Sequence, residues 1–111
     1  MILVRSPLRI TLGGGGTDLP AYYKRHGGMF VTAAIEAYVY AAVLKPFHPG
    51  IYIKHRGASE ECRTIDEIQH PLIREALRLC APDDWTPQIE ITTLADVPAG
   101  TGLGSSSACA C

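Results

Sequence analysis

An α+β fold, built from mostly antiparallel strands and a few helices, is what this sequence predicts. Three observations carry that reading. Runs rich in β-branched, aliphatic and aromatic residues recur from Arg5 to Thr93. One segment, Leu72, Ile73, Ala76, Leu77 and Cys80, repeats its apolar residues at helical spacing. Two glycine-rich stretches, Gly13 to Gly16 and Gly100 to Gly104, punctuate the chain where a strand gives way to a helix.

Taken in order, Arg5 to Leu12 reads as a strand ended by the four-glycine run. Thr17 or Asp18 can cap a short helix, Pro20 to Arg25, with Pro20 at a position where a missing N–H costs nothing. Gly27-Gly28 closes it. Phe30 to Ile35 and Tyr38 to Lys45 form two strands. In the second, Val39, Ala41 and Val43 face one way and Tyr38, Tyr40, Ala42 and Leu44 the other, so both faces are apolar. Such a strand asks for cover on each side, from further chain or from a second copy, so a homo-oligomer is admitted. Pro46 to Gly50 is a turn, Ile51 to Lys54 a short strand, and the polar stretch Gly57 to Arg63 a surface loop. The helix around Leu72 to Cys80 has Pro71 in its first turn and Pro82 beyond its end. Gln88 to Thr93 alternates, with Ile89 and Ile91 on one face. No repeat or linker divides the chain, so residues 1–111 read as one domain.

Composition narrows the function. The 111 residues carry ten Lys plus Arg against eleven Asp plus Glu, with no basic stripe, so a nucleic-acid partner is not expected. The longest uncharged apolar run, Ala37 to Leu44, is too short to span a bilayer, and Met1 to Val4 is cut off by Arg5 and Pro7 before any signal core forms. The expected location is the cytoplasm, with no membrane partner. Cys62, Cys80, Cys109 and Cys111 show no C-x-x-C spacing and read as small apolar residues in a reducing compartment. His26, His48, His55 and His70 show no shared face or ligand spacing.

Two segments carry chemistry. In Asp96-Val97-Pro98-Ala99-Gly100-Thr101-Gly102-Leu103-Gly104, glycines at alternate positions lead into Ser105-Ser106-Ser107. Backbone N–H groups with no side chains in the way, followed by a helix N-terminus, suit a phosphate. Hydroxyls in the first turn can add a hard oxygen ligand to a magnesium ion riding on a nucleotide. No Lys follows the last glycine, so this is not a Walker loop, and the even spacing is not the dinucleotide fingerprint. A glycine turn with a serine cap is the plain alternative. In the other segment, Arg9-Ile10-Thr11-Leu12-Gly13-Gly14-Gly15-Gly16-Thr17-Asp18, a strand delivers an arginine, glycines admit a ligand to the backbone, and a carboxylate follows. Asp18 can accept two hydroxyl hydrogen bonds, the way sugars are commonly held, or simply cap the next helix.

Both patterns resemble one family, the GHMP kinases. Pro98 to Ala108 is similar to the family's phosphate-binding motif, P-x-x-x-G-L-G-S-S-A, with a slightly stretched start. Arg5-Ser6-Pro7-Leu8-Arg9-Ile10 with Gly14-Gly15-Gly16-Thr17-Asp18-Leu19-Pro20 resembles the branch acting on D-glycero-D-manno-heptose 7-phosphate and related sugars. The resemblance runs from Arg5 to the last residue.

It implies an N-terminal domain of the ribosomal-protein-S5 domain-2 type, ATP and Mg²⁺ as cofactors, and a small sugar or sugar phosphate as substrate. ATP would lie over Pro98, Gly100, Gly102, Leu103, Gly104, Ser105, Ser106 and Ser107, with Ser106 as the magnesium ligand. Sugar would lie over Gly14, Gly15, Gly16, Thr17 and Asp18, and Arg9 would stand near the transferring phosphoryl group as the catalytic arginine. The family's catalytic aspartate and third glycine motif have no counterpart here. The Ser-rich helix has barely begun by Cys111, so the chain reads as the front of a longer kinase and is expected to be inactive alone. Other acceptors, such as fucose, galactose or a mevalonate-like acid, stay open, as does a non-catalytic module of the same fold that binds a nucleotide or a partner.

Overall fold

The computed structural model describes residues 1–98 and 100–110. Five strands form one sheet: β1 (Ile2–Gly13), β2 (Val31–Leu44), β3 (Gly50–His55), β4 (Ala58–Cys62) and β5 (Gln88–Ala95), in the order β1-β2-β5-β3-β4. Three pairings are antiparallel, and only β3 with β5 is parallel. The parallel pair needs a crossover, and helix α2 (Pro71–Cys80) supplies it. Two shorter helices, α1 (Pro20–His26) and α3 (Ser105–Ala110), follow the two glycine segments. The mixed fold expected from the sequence is the one observed.

Packing gathers around two centres. Ile51 and Ile53 point the same way from β3, as strand residues two apart must, and meet Ile91, Cys62, Ile68 and the α2 residues Ile73 and Leu77. The second cluster joins Leu8 of β1 and Val39 of β2 to Ala108 of α3, with Leu103 and Cys109 packed against them. This smaller cluster positions the site, because it ties the second glycine segment to the strand that leads into the first. Among the described residues no helix is long and apolar enough to cross a membrane.

Several local expectations need correcting. Phe30 to Ile35 and Tyr38 to Lys45 are not two strands but the single 14-residue β2. Between the two runs lies a bulge: Pro7 pairs with Tyr38 and Arg9 with Ala34, so Leu8 faces the extra residues. Gly57 to Arg63 is not a loop either, since β4 runs through it. Arg56 and Gly57 both have left-handed φ (46° and 79°), the geometry a two-residue hairpin turn requires to match strand twist. The polar look of Ser59-Glu60-Glu61 reflects an edge strand with solvent on one side. Neither Thr17 nor Asp18 caps α1, whose N-cap is Leu19 without a side-chain bond; a short 3-10 turn, Gly15–Asp18, comes first.

Candidate functional site

The alternating glycines of the second segment all take left-handed φ: 84° at Gly100, 74° at Gly102 and 73° at Gly104. Alternation of hand along a chain curls successive N–H groups toward one side, the concave arrangement that holds anions. Two contacts seat this loop on β1. The Arg9 N–H donates to the Leu103 carbonyl at 3.1 Å. The Arg9 side chain lies against Gly104, where a Cβ would come within 3.0 Å of Nε and 3.2 Å of Cγ. The same guanidinium stands 5.8 Å from the centre of the Phe30 ring.

Phe30 leads to the first segment. A Cβ on Gly14 would lie 3.0 Å from the Phe30 Cα and 2.1 Å from the Met29 carbonyl oxygen. Thr17 fastens this approach: its Oγ1 accepts the Met29 N–H at 3.1 Å and lies 2.9 Å from the Met29 carbonyl and 2.8 Å from that of Gly14. The Thr17 hydroxyl is therefore engaged within its own loop. Asp18, at the end of the 3-10 turn, is exposed and has no hydrogen-bond or ion-pair partner among the described residues. Gly14, Phe30, Arg9 and Gly104 thus form one continuous row, which brings the two segments predicted from sequence onto one side of β1.

Beyond Gly104, Ser105 and Ser106 line a cavity of about 290 Å³. Its other walls include Val39, Arg56, His55, His70 and Cys109. Ser107 does not line it. Here the sequence reading of the histidines is corrected: His55 and His70 share a face, with ring centres 4.7 Å apart edge to face. His55 Nε2 stands 3.1 Å from Glu60 Oε1, and the Gln69 N–H donates to Glu60 Oε2 at 2.7 Å. Burial pushes the Glu60 carboxyl up, but these bonds outweigh it and hold the group below the usual carboxylate range. Burial, then the neighbouring His55, hold His70 below the usual histidine range. His70 also caps α2, its Nδ1 accepting the Ile73 N–H at 3.4 Å. The sequence signal for this cluster was the missed turn: in the hairpin Ile53 pairs with Glu60 and His55 with Ala58, which sets His55 diagonal to Glu60. Burial raises the Cys109 thiol pKa, so Cys109 serves as an apolar wall.

Among the described residues, no group of three or more His, Cys, Asp or Glu is arranged to hold a metal ion. Any ion here would need oxygen ligands from a bound molecule, with the exposed Ser106 hydroxyl as a protein donor beside the cavity. Pro98, Gly100 and Thr101 are exposed. Ala99 and Cys111 lie outside the described residues, and with Cys111 the expectation that it is a small apolar residue.

No family model matches the chain. A crystal structure of a D-glycero-D-manno-heptose 1-phosphate kinase from Bacteroides thetaiotaomicron superimposes with a TM-score of 0.82 at 27% identity, over 96% of this chain and 38% of that one. Among curated proteins, an L-fucokinase/L-fucose-1-P guanylyltransferase from Bacteroides fragilis is 36% identical over 93% of this chain. The D-glycero-alpha-D-manno-heptose 7-phosphate kinase of Campylobacter jejuni is 28% identical over 96% of it. The chain matches the N-terminal part of the GHMP kinases. The chain spans only 14% and 34% of the lengths of those two curated relatives. Within the chain, the row from Gly14 to Gly104 unites the two segments that carry the resemblance.

Proposed function

We propose that this chain is the front part of an ATP- and magnesium-dependent sugar kinase acting on a hydroxyl of a sugar phosphate, with D-glycero-D-manno-heptose 7-phosphate as acceptor and its anomeric hydroxyl as the site of transfer. One observation supports this above the rest. Arg9 packs against Gly104 of one glycine segment while its guanidinium faces Phe30, which abuts Gly14 of the other. A cation at that junction suits a phosphoryl group passing from nucleotide to sugar.

In this reading ATP supplies the phosphoryl group, and magnesium neutralises charge across its phosphates. The chain's own groups bind and orient. N–H groups of Gly100 to Gly104 hold phosphate oxygens, Ser106 offers its hydroxyl to the metal, and Pro98, Ser105 and Ser107 complete the nucleotide side. The rest of the nucleotide extends into the 290 Å³ cavity beside Ser105 and Ser106. Gly14, Gly15 and Gly16 let the sugar approach the main chain. Thr17 keeps that loop closed, and Asp18 accepts sugar hydroxyls. Arg9 offsets charge on the moving phosphoryl group. A second acceptor, L-fucose, is favoured by the 36% identity to a protein described as an L-fucokinase.

The test uses the full-length protein. Phosphoryl transfer from ATP is assayed with heptose 7-phosphate, L-fucose and galactose, and calorimetry follows sugar binding to Asp18→Ala. Loss of charge-assisted hydrogen bonds worth roughly 1.5–3 kcal/mol each should weaken sugar affinity about ten- to a hundred-fold and leave ATP affinity unchanged. Unaltered sugar affinity would reduce Asp18 to a structural turn residue. Absence of transfer to every sugar would leave a non-catalytic nucleotide-binding module.

A further inference from the structure

The strand that feeds the second glycine segment ends in an unusual way. In an antiparallel ladder, residues in a hydrogen-bonded pair exchange two bonds, each N–H donating to the opposite main-chain carbonyl. Val39 pairs with Ala95 and Tyr40 with Leu94, which places Asp96 opposite Tyr38. Half of the expected exchange is present, for the Asp96 N–H donates to the Tyr38 carbonyl at 3.0 Å. The other half is diverted. The Tyr38 N–H donates instead to the Asp96 carboxylate, at 2.8 Å from Oδ2. The same oxygen accepts the Tyr40 hydroxyl at 3.3 Å. A side chain has taken the place of the main-chain acceptor, which is how aspartate competes with regular structure. The ladder closes at Asp96, and the main chain turns out of the sheet toward Pro98.

We infer that Asp96 is a positioning residue for the phosphate-binding loop: its carboxylate, held by Tyr38 and Tyr40, sets the point at which the chain leaves β5 and so the placement of the Gly100 to Gly104 N–H groups. The loop is then fixed at both ends, by Asp96 on β2 at its start and by Leu103 on Arg9 of β1 near its finish. Between these anchors run Gly100 and Gly102, whose freedom would otherwise let the N–H groups disperse. The Arg5 guanidinium, 4.7 Å from the centre of the Tyr38 ring, covers the outer side of the anchor. Burial and the adjacent Asp96 carboxylate raise the Tyr40 phenol pKa, so it keeps the proton that it donates. The role in nucleotide binding rests on the function proposed above; the loop placement itself does not.

The two parts are tested separately in the full-length protein. Asp96→Ala should speed exchange of the Arg9 amide, which the loop holds through the Leu103 carbonyl, by at least about tenfold, with β3 amides unchanged. It should weaken MgATP binding by a similar factor. Asp96→Asn retains an oxygen for the Tyr38 N–H and should restore both to within about threefold of the parent. Tyr40→Phe, which keeps the main anchor, should fall between; it serves if the alanine variant does not fold. A variant that lowers the melting temperature yet leaves Arg9 amide exchange and MgATP affinity at parental values would overturn the inference, because the carboxylate would then support only general stability. Failure of Asp96→Asn to rescue would also overturn it. If the parent binds no MgATP, the kinase reading falls, while the exchange rates still decide whether Asp96 places the loop.

Discussion

Gly14 and Gly16 sit two residues apart in a run of four glycines, yet the structure assigns them opposite costs. At Gly14 an alanine would adopt φ near 79°, which costs an L-residue roughly 1–2 kcal/mol. Its Cβ would also lie 2.1 Å from the Met29 carbonyl oxygen. An ordinary carbon–oxygen contact is roughly 3.3 Å or more, so the two strands of the loop must part by about 1 Å. That separation breaks the Thr17–Met29 hydrogen bonds, at 2.9 and 3.1 Å, each worth about 1 kcal/mol net. Gly14→Ala should therefore destabilise the loop by about 3–4 kcal/mol. At Gly16 a Cβ meets nothing within 4 Å and φ is outside the left-handed region, so Gly16→Ala should be neutral or stabilise by about 0.4–1 kcal/mol through the unfolded chain. Amide exchange at Met29 reads the local opening, and denaturant unfolding of the full-length protein reads any global share. Equal effects of the two substitutions, within about 0.5 kcal/mol, would refute the reasoning and show that the glycine run is merely flexible.

Two further outcomes are expected. Ser106→Ala should lower kcat at least about tenfold while nucleotide affinity changes less, because the backbone N–H groups remain and only the oxygen assigned to magnesium is lost. Ser107→Ala, which removes a hydroxyl of the nucleotide side that does not line the cavity, should lower kcat less than Ser106→Ala; matching small effects in steady-state kinetics with magnesium titrated would remove the assignment. The His70 imidazole, held below its usual range by burial and His55, makes stability depend on pH. The unfolded chain takes up the proton near pH 6.5 and the folded chain only below that, so stability is complete above about pH 6.5 and declines as pH falls through that value. His70→Asn keeps a cap acceptor without titrating and should flatten this window, read by thermal melts from about pH 5 to 8; an unchanged slope would remove His70 as the cause.

The elements legible in the sequence were those whose signal is local. The helix around Leu72 to Cys80 declares itself by periodicity and flanking prolines, and the structure places it at Pro71–Cys80. The alternation of Gln88 to Thr93 likewise marks β5. The two glycine segments stood out because few residues but glycine tolerate such backbone conformations, and three glycines of the second segment do adopt left-handed φ. What failed was also local in origin. Arg56-Gly57 is a weaker hairpin signal than Asn-Gly or Asp-Gly, so the polar run from Gly57 to Arg63 reads as a loop and gives no sign of the histidine pair.

From the residues alone came the mixed fold class, the two glycine segments and their resemblance to sugar kinases, since periodicity, glycine and motif residues are written along the chain. Only the tertiary structure decided what those segments do to one another. Arg9 reaches Gly104 across 95 positions because β1, β2 and α3 pack through Leu8, Val39 and Ala108. Asp96 meets Tyr38 and Tyr40 because β2 and β5 are neighbours in register. His55 faces His70 because a two-residue turn and a helix cap converge on one cavity. Each is a contact between residues far apart in sequence or across a turn, and strand order and register, not local propensity, choose such partners.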